Sequence, residues 1–176
     1  MRPRHVLADA STAAAVTALA LVAGFAAPAS ASSPSPWQPV HEQPFTQPAG
    51  VVCAFALHGD IVTDHVLVRT LQTYPDGSPQ EQEFAGPLAI RFTNLSTGAS
   101  VERNLTGIAD FFYEPDGTIE GHGLGHIAIG IHAVNTSPPP GEYVITGSYT
   151  FVLRPDGTRD FTVQGGTAEN LCDTLA

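Results

Sequence analysis

The sequence predicts an all-β protein, an antiparallel β-barrel of about eight strands or alternatively a two-sheet β-sandwich, held by one disulfide. Three observations carry that expectation. Beyond Gly50 the chain runs in short β-branched and aromatic stretches bounded by Gly, Pro, Asn and Asp. Three Pro-Asp-Gly turns recur at a spacing of 40, and the only two cysteines stand at the two ends of the strand-rich region.

Alternation is clearest at Tyr143, Ile145, Gly147, Tyr149, Phe151 and Leu153, with Thr146, Ser148 and Thr150 between them. Leu88, Ile90 and Phe92 repeat the theme. A period of two marks strands with one face buried and one face wet, so the odd side chains are expected inside and the threonines outside. Strands are expected near 51–58, 62–73, 80–84, 87–94, 99–105, 108–114, 118–131 and 142–154, with a further one near 158–164. No stretch supports a long amphipathic helix, and the tail from Thr167 to Leu175 has room for a turn or two at most.

The turns are Pro75-Asp76-Gly77, Pro115-Asp116-Gly117 and Pro155-Asp156-Gly157. Pro presets the backbone of a type I turn, Asp bonds back to the chain, and Gly accepts the left-handed conformation that follows. The last two copies agree beyond the turn. Leu105-Thr106-Gly107, Phe111 and Pro115-Asp116-Gly117-Thr118 align with Ile145-Thr146-Gly147, Phe151 and Pro155-Asp156-Gly157-Thr158. This reads as a duplicated hairpin, against the plainer alternative that favoured turn chemistry simply recurs. Closure into a barrel would remove exposed edges.

The N-terminus carries Arg2 and Arg4, an apolar run from about Ala13 to Ala27, and then Pro28-Ala29-Ser30-Ala31. This is the layout of a secretory signal peptide over residues 1–31, cleaved after Ala31. The apolar run falls short of the roughly 20 residues that cross a bilayer, and neither an Arg-Arg pair nor a lipid-accepting Cys accompanies it. The expected product is a secreted, extracellular protein with no membrane anchor. Residues 32–50 hold five prolines and no apolar period, which reads as an extended, poorly ordered Pro-rich arm whose Phe45 tacks onto the barrel wall. Residues 51–176 are long enough for a single β domain.

In an oxidising compartment the isolated pair Cys53 and Cys172 is most simply a disulfide, worth up to about 4–5 kcal/mol in the chain-entropy model. The chain has a formal charge of −10 and no Lys. Loss of Arg2, Arg4 and Asp9 with the leader makes the remainder one unit more acidic. Nucleic acid and anionic membrane surfaces repel such a protein and are excluded as partners.

The segments "PFTQPAGVVCAFAL", "GPLAIRFTNLSTGASVERNLTG", "PPGEYVITGSYTFVLRPDGT" and the ending "ENLCDTLA" resemble a group of secreted proteins of high-GC Gram-positive bacteria. The likeness covers nearly all of the chain beyond the leader. Its specific parts are the Thr-Asn-x-x-Thr-Gly turn at Thr93 to Gly98 and the closing Cys172. That group has no established activity, so the resemblance implies secretion and compactness and supplies no catalytic residue. A bacterial source makes Asn94, Asn104 and Asn135 ordinary polar residues rather than glycosylation sites.

Histidine is the first candidate for chemistry. His122, His126 and His132 share parity along one expected strand and are candidate ligand-binding residues, as is His65, with His58 a further partner across strands. On a regular strand His122 and His126 stand roughly 13 Å apart, too far to share one zinc ion. No metal and no cofactor is expected. Paired acids could hydrolyse a sugar bond, but Glu81 with Glu83, and Asp110 with Glu114, sit beside turns where acids are commonly solvated. There is no Gly-x-Ser-x-Gly elbow, and Gly121 to His126 opens no helix and is no phosphate loop.

Two function classes follow. One is a non-enzymatic module that binds a small molecule, a carbohydrate or a cell-surface ligand at a barrel mouth. The other is a small barrel enzyme of the cyclase or dirigent-like type, acting on a small apolar substrate. A filled interior argues against the enzyme. A hollow one holding a His and an acid within hydrogen-bond reach argues for it.

Overall fold

The computed structural model describes residues 33 to 135 and 137 to 176. The expected signal peptide and its cleavage site lie outside the described residues. Among the described residues eleven strands form two antiparallel sheets. The larger has the order β1 (Gln38–Pro39), β4 (Leu67–Thr73), β5 (Pro79–Gly86), β8 (Gly107–Tyr113), β9 (Ile119–Ile131), β10 (Gly141–Leu153), β11 (Arg159–Asn170). The smaller has the order β2 (Phe45–Gln47), β3 (Leu57–Asp64), β6 (Leu88–Asn94), β7 (Ser100–Asn104). One helical turn, α1 (Leu171–Thr174), ends the chain, capped by the Asn170 side chain.

The barrel expectation is corrected: the sheets do not close on each other, and the two-sheet alternative describes the fold. The physical reason is a row of glycines. Gly86, Gly107, Gly125, Gly147 and Gly166 are successive cross-strand partners through β5, β8, β9, β10 and β11. Four of them have positive φ, +139° at Gly86, +112° at Gly125, +118° at Gly147 and +134° at Gly166, a region that side chains rarely tolerate. At this crease β5 ends and the chain crosses to the second sheet as β6, and β8 begins where the chain returns from β7. The strands β9, β10 and β11 run through the crease and fold over it. Gly130 pairs with Glu142 and Arg159 pairs with Leu153, so on a straight β10 they would lie roughly 36 Å apart. Yet Arg159 Nη1 donates to the Gly130 carbonyl at 3.1 Å.

Folding covers the first half of β10 on both faces. Val144 packs with Leu57, Ile90, Phe92 and Leu171, whereas the next residue, Ile145, packs with Ile129, Tyr149 and Phe151. In the second half the expected alternation holds, with Tyr149 and Phe151 buried and Ser148 and Thr150 half-exposed. Gly121 and Gly123 make room for the two rings. A Cβ at Gly121 would stand 2.2 Å from Phe151 Cζ, and one at Gly123 would stand 2.6 Å from Tyr149 Oη.

Several boundaries differ from expectation. Residues 51 to 55 are turns and bends, with β3 starting only at Leu57. The expected strand 62–73 is two strands, broken where His65 and Val66 carry the chain between sheets. The last strand continues to Asn170. The Pro-rich arm adds a short edge strand to each sheet, and Phe45 meets Phe92 edge-on at 6.2 Å over Gly59.

Cys53 and Cys172 are bonded, with Cα atoms 5.3 Å apart, and tie the start of the core to α1. Bidentate Arg103 to Glu169 bonds of 2.7 and 2.6 Å join β7 to β11 nearby. The three Pro-Asp-Gly turns are built alike. Each glycine has φ near +88° and donates to the carbonyl of the residue before Pro, and each Asp accepts from the amide two residues on, at 2.8 or 2.9 Å.

Candidate functional site: a cavity between the sheets

The folded layers leave two adjoining hollows of about 230 and 360 Å³ that share Leu88, Leu105, Phe111, His126 and Ile127. Phe84, Ala109 and Tyr149 make the smaller one apolar, and Glu142, Arg159 and Gln47 give the larger one a polar end. Glu42, an exposed residue of the arm, borders both and marks the mouth.

Glu142 is the unusual group. It shares parity with Val144 in the half of β10 that the second sheet covers, which leaves it only 4 % exposed. Among the described residues its carboxylate has neither a hydrogen bond nor an ion pair, and its oxygens keep a small accessible surface toward the larger hollow. Burial pushes the carboxyl up to about 7, with the positive charge of Arg159 opposing part of the shift. Arg159 is held by Asn135, whose Oδ1 accepts from the Arg159 amide at 3.2 Å and whose Nδ2 donates to the Arg159 carbonyl. Burial lowers the guanidinium from its ordinary value and Glu142 opposes that shift. Its one side-chain hydrogen bond among the described residues is the bond to Gly130, so donors remain free.

Gly130 separates the two. Its φ is not positive, so the absence of a side chain is a matter of space. A Cβ there would lie 3.0 Å from Glu142 Oε2, 3.2 Å from Val52 Cγ1 and 3.7 Å from Arg159 Nη1. The arrangement is an acid able to give or take a proton near neutrality, and a guanidinium with unused donors, at one end of an apolar hollow. Tyr149, its phenol pushed up to about 12 by burial, stays protonated in the wall.

No family model, curated protein or solved structure matches the chain. The site therefore rests on its own geometry.

The histidines do not form one face. The crease at Gly125 turns the even side of β9 from solvent toward the second sheet, so equal parity no longer means a shared surface. His122 is exposed, stacked on Phe112 at 5.3 Å and 3.4 Å from Asp110. His126 lines the cavity and meets Thr146 Oγ1 at 3.0 Å. His132 lies beyond β9, with Nε2 buried and unpartnered, and burial followed by the Arg159 charge lowers its pKa. His65 is exposed at the crossing between sheets, and His58 bonds Thr46 and Asp60. Among the described residues no cluster of His, Cys, Asp and Glu could hold a metal ion.

Of the candidate acids, Glu83 pairs with Arg69 and Glu81 accepts from Gln72, while Asp110 Oδ2 lies 3.4 Å from His122 and its Oδ1 is buried with no hydrogen-bond partner among the described residues. Sequence reasoning missed Glu142 because its parity places it with Thr146, Ser148 and Thr150, a side that reads as wet. The available signal was Arg159, a lone cation at the start of an edge strand.

Proposed function

We propose that the protein binds a small, mainly apolar molecule in the cavity between the sheets, with Glu142 and Arg159 fixing its polar end. The carrying observation is the buried Glu142, without a hydrogen bond or ion pair among the described residues, lining a hollow that adjoins an apolar one. A buried acid is costly unless something pairs with it, and sites that accept ligands are where such costs are retained. The larger hollow, about 360 Å³, lies within the size range of small-ligand pockets, which begins at about 300 Å³, and the smaller one, about 230 Å³, adjoins it. Secretion, read from the leader, makes this an extracellular binding protein.

One observation favours the enzymatic alternative, a cyclase-type reaction on an apolar substrate: a carboxyl titrating near neutrality in a low-dielectric cavity suits general acid–base work. Among the described residues no histidine hydrogen-bonds to Glu142, and binding is the better supported reading.

Titration with the neutral dye N-phenyl-1-naphthylamine tests it. The expected result is a saturable, one-to-one fluorescence rise that Ala109→Leu, which fills the smaller hollow, removes. No saturable rise, or one unchanged in a folded Ala109→Leu variant, would overturn the reading.

A further inference from the structure

We infer that the ligand of this cavity is an amphiphile ending in a carboxylate, gripped by the Arg159 guanidinium while Glu142, as the neutral acid, donates a second hydrogen bond to it. The inference rests on the binding reading above and specifies the ligand's chemistry.

Arg159 is a half-buried cation with no ion-pair partner among the described residues, lining the larger hollow. Such a charge is stabilised by an anion brought to it, and a guanidinium matches a carboxylate with two parallel bonds. Nη1 is spent on the Gly130 carbonyl, which orients the fork, and the other donors are free. Glu142 Oε2 and Arg159 Nη1 both crowd the bare side of Gly130 on β9, and both line the larger hollow beside it. From that position a protonated Glu142 supplies the donor that the carboxylate's remaining lone pairs need. Ionised Glu142 would set two carboxylates against each other in a dry site. An apolar tail then runs over Ile127 toward Phe84 and Ala109. A cationic ligand fits worse, because it would sit beside the uncompensated Arg159.

Binding therefore weakens as Glu142 ionises. The other charged or titratable groups facing this end are Glu42 at the mouth, His126 on β9 and His132 beside Arg159. The lining residues of the second sheet are uncharged. The Glu142→Gln variant, which keeps a donor and cannot ionise, separates Glu142 from these.

The experiment displaces N-phenyl-1-naphthylamine with decanoate, decanol and decylamine at pH 6 and pH 8. The expected result at pH 6 is decanoate binding roughly tenfold or more tightly than decanol. That preference falls at pH 8 in the wild type and persists at pH 8 in Glu142→Gln. It vanishes in Arg159→Gln, in which decanoate and decanol displace the dye equally. Should Arg159→Gln fail to fold, the comparison of wild type with Glu142→Gln across pH decides. Equal displacement by decanoate and decanol, tighter binding of decylamine, or a folded Arg159→Gln that keeps the preference would each overturn the inference. A dye that does not bind at all removes the binding reading itself, so the two failures are distinguishable.

Discussion

Glu142 and Arg159 approach the empty side of Gly130 from β10 and β11 and stop short of an ion pair. The acid consequently bears its burial almost alone, and that leaves a mark on stability.

Burial raises the Glu142 carboxyl from an ordinary 4.5 to about 7 in the folded chain. Between those values the folded state holds a proton that the unfolded state has released, so the contribution is full below the unfolded value and is lost as pH rises through the folded one. Relative to Glu142→Gln, the wild type should lose roughly 3 kcal/mol between about pH 4.5 and pH 8. Urea unfolding of both proteins across that range reads the difference directly, and parallel curves would show that Glu142 is solvated.

Gly147 and Gly165 are close in space and opposite in demand. Gly147 has φ +118°, and a Cβ there would meet Gly165 O at 1.9 Å, whereas a Cβ at Gly165 would meet nothing within 4 Å. Gly147→Ala should destabilise by about 3 kcal/mol or more, and Gly165→Ala should be neutral or slightly stabilising, since alanine favours ordered backbone by roughly 0.5–1 kcal/mol over glycine. Thermal or urea unfolding compares them. Similar losses at both positions would mean that the crease is not where φ places it.

Phe151 is 2 % exposed, with the Phe111 ring centre 5.0 Å away, while Thr150 faces outward in register with His122. Phe151→Ala should cost roughly 3–5 kcal/mol and Thr150→Ala well under 1. Equal effects would show that the two faces of β10 are misassigned.

Zinc titration of the metal-free protein at neutral pH should yield no one-to-one complex of micromolar affinity, because His122 is outside and His126 inside. A complex of that strength abolished by His126→Ala would refute this separation.

Alkylation of the native protein should label neither Cys53 nor Cys172, since the two are bonded across a sequence separation of 119. Reduction should add two hydrogens to the mass and lower the unfolding midpoint, the bond being worth up to about 4–5 kcal/mol.

The alternation in β10, the three turns, the disulfide and the anchoring of Phe45 were all legible, because each depends on local chemistry or on compartment. The open, folded arrangement of the sheets was not. Gly86, Gly107, Gly125, Gly147 and Gly166 are scattered in sequence, and only cross-strand register lines them up. Missing that row had two further effects. The parity of His122 and His126 suggested one face where there are two, and Glu142, which periodicity did not single out, shares parity with Thr146, Ser148 and Thr150 on a strand whose first half is covered on both sides. Periodicity reports two faces, and it cannot tell whether a second layer covers the polar one. Register and layering are long-range properties, and a single sequence carries them only weakly.

The spacing of 40 between Pro115 and Pro155 is also the spacing between Gly107 and Gly147. One repeat of the chain is therefore one round trip, out to a turn and back across the fold line. A protein built this way lengthens by whole hairpins, each of which returns a glycine to the line. A single extra residue on one limb is taken up by a bulge, as where Ser148 pairs with Gly165 and Tyr149 with Val163 while Gly147 still meets Gly166.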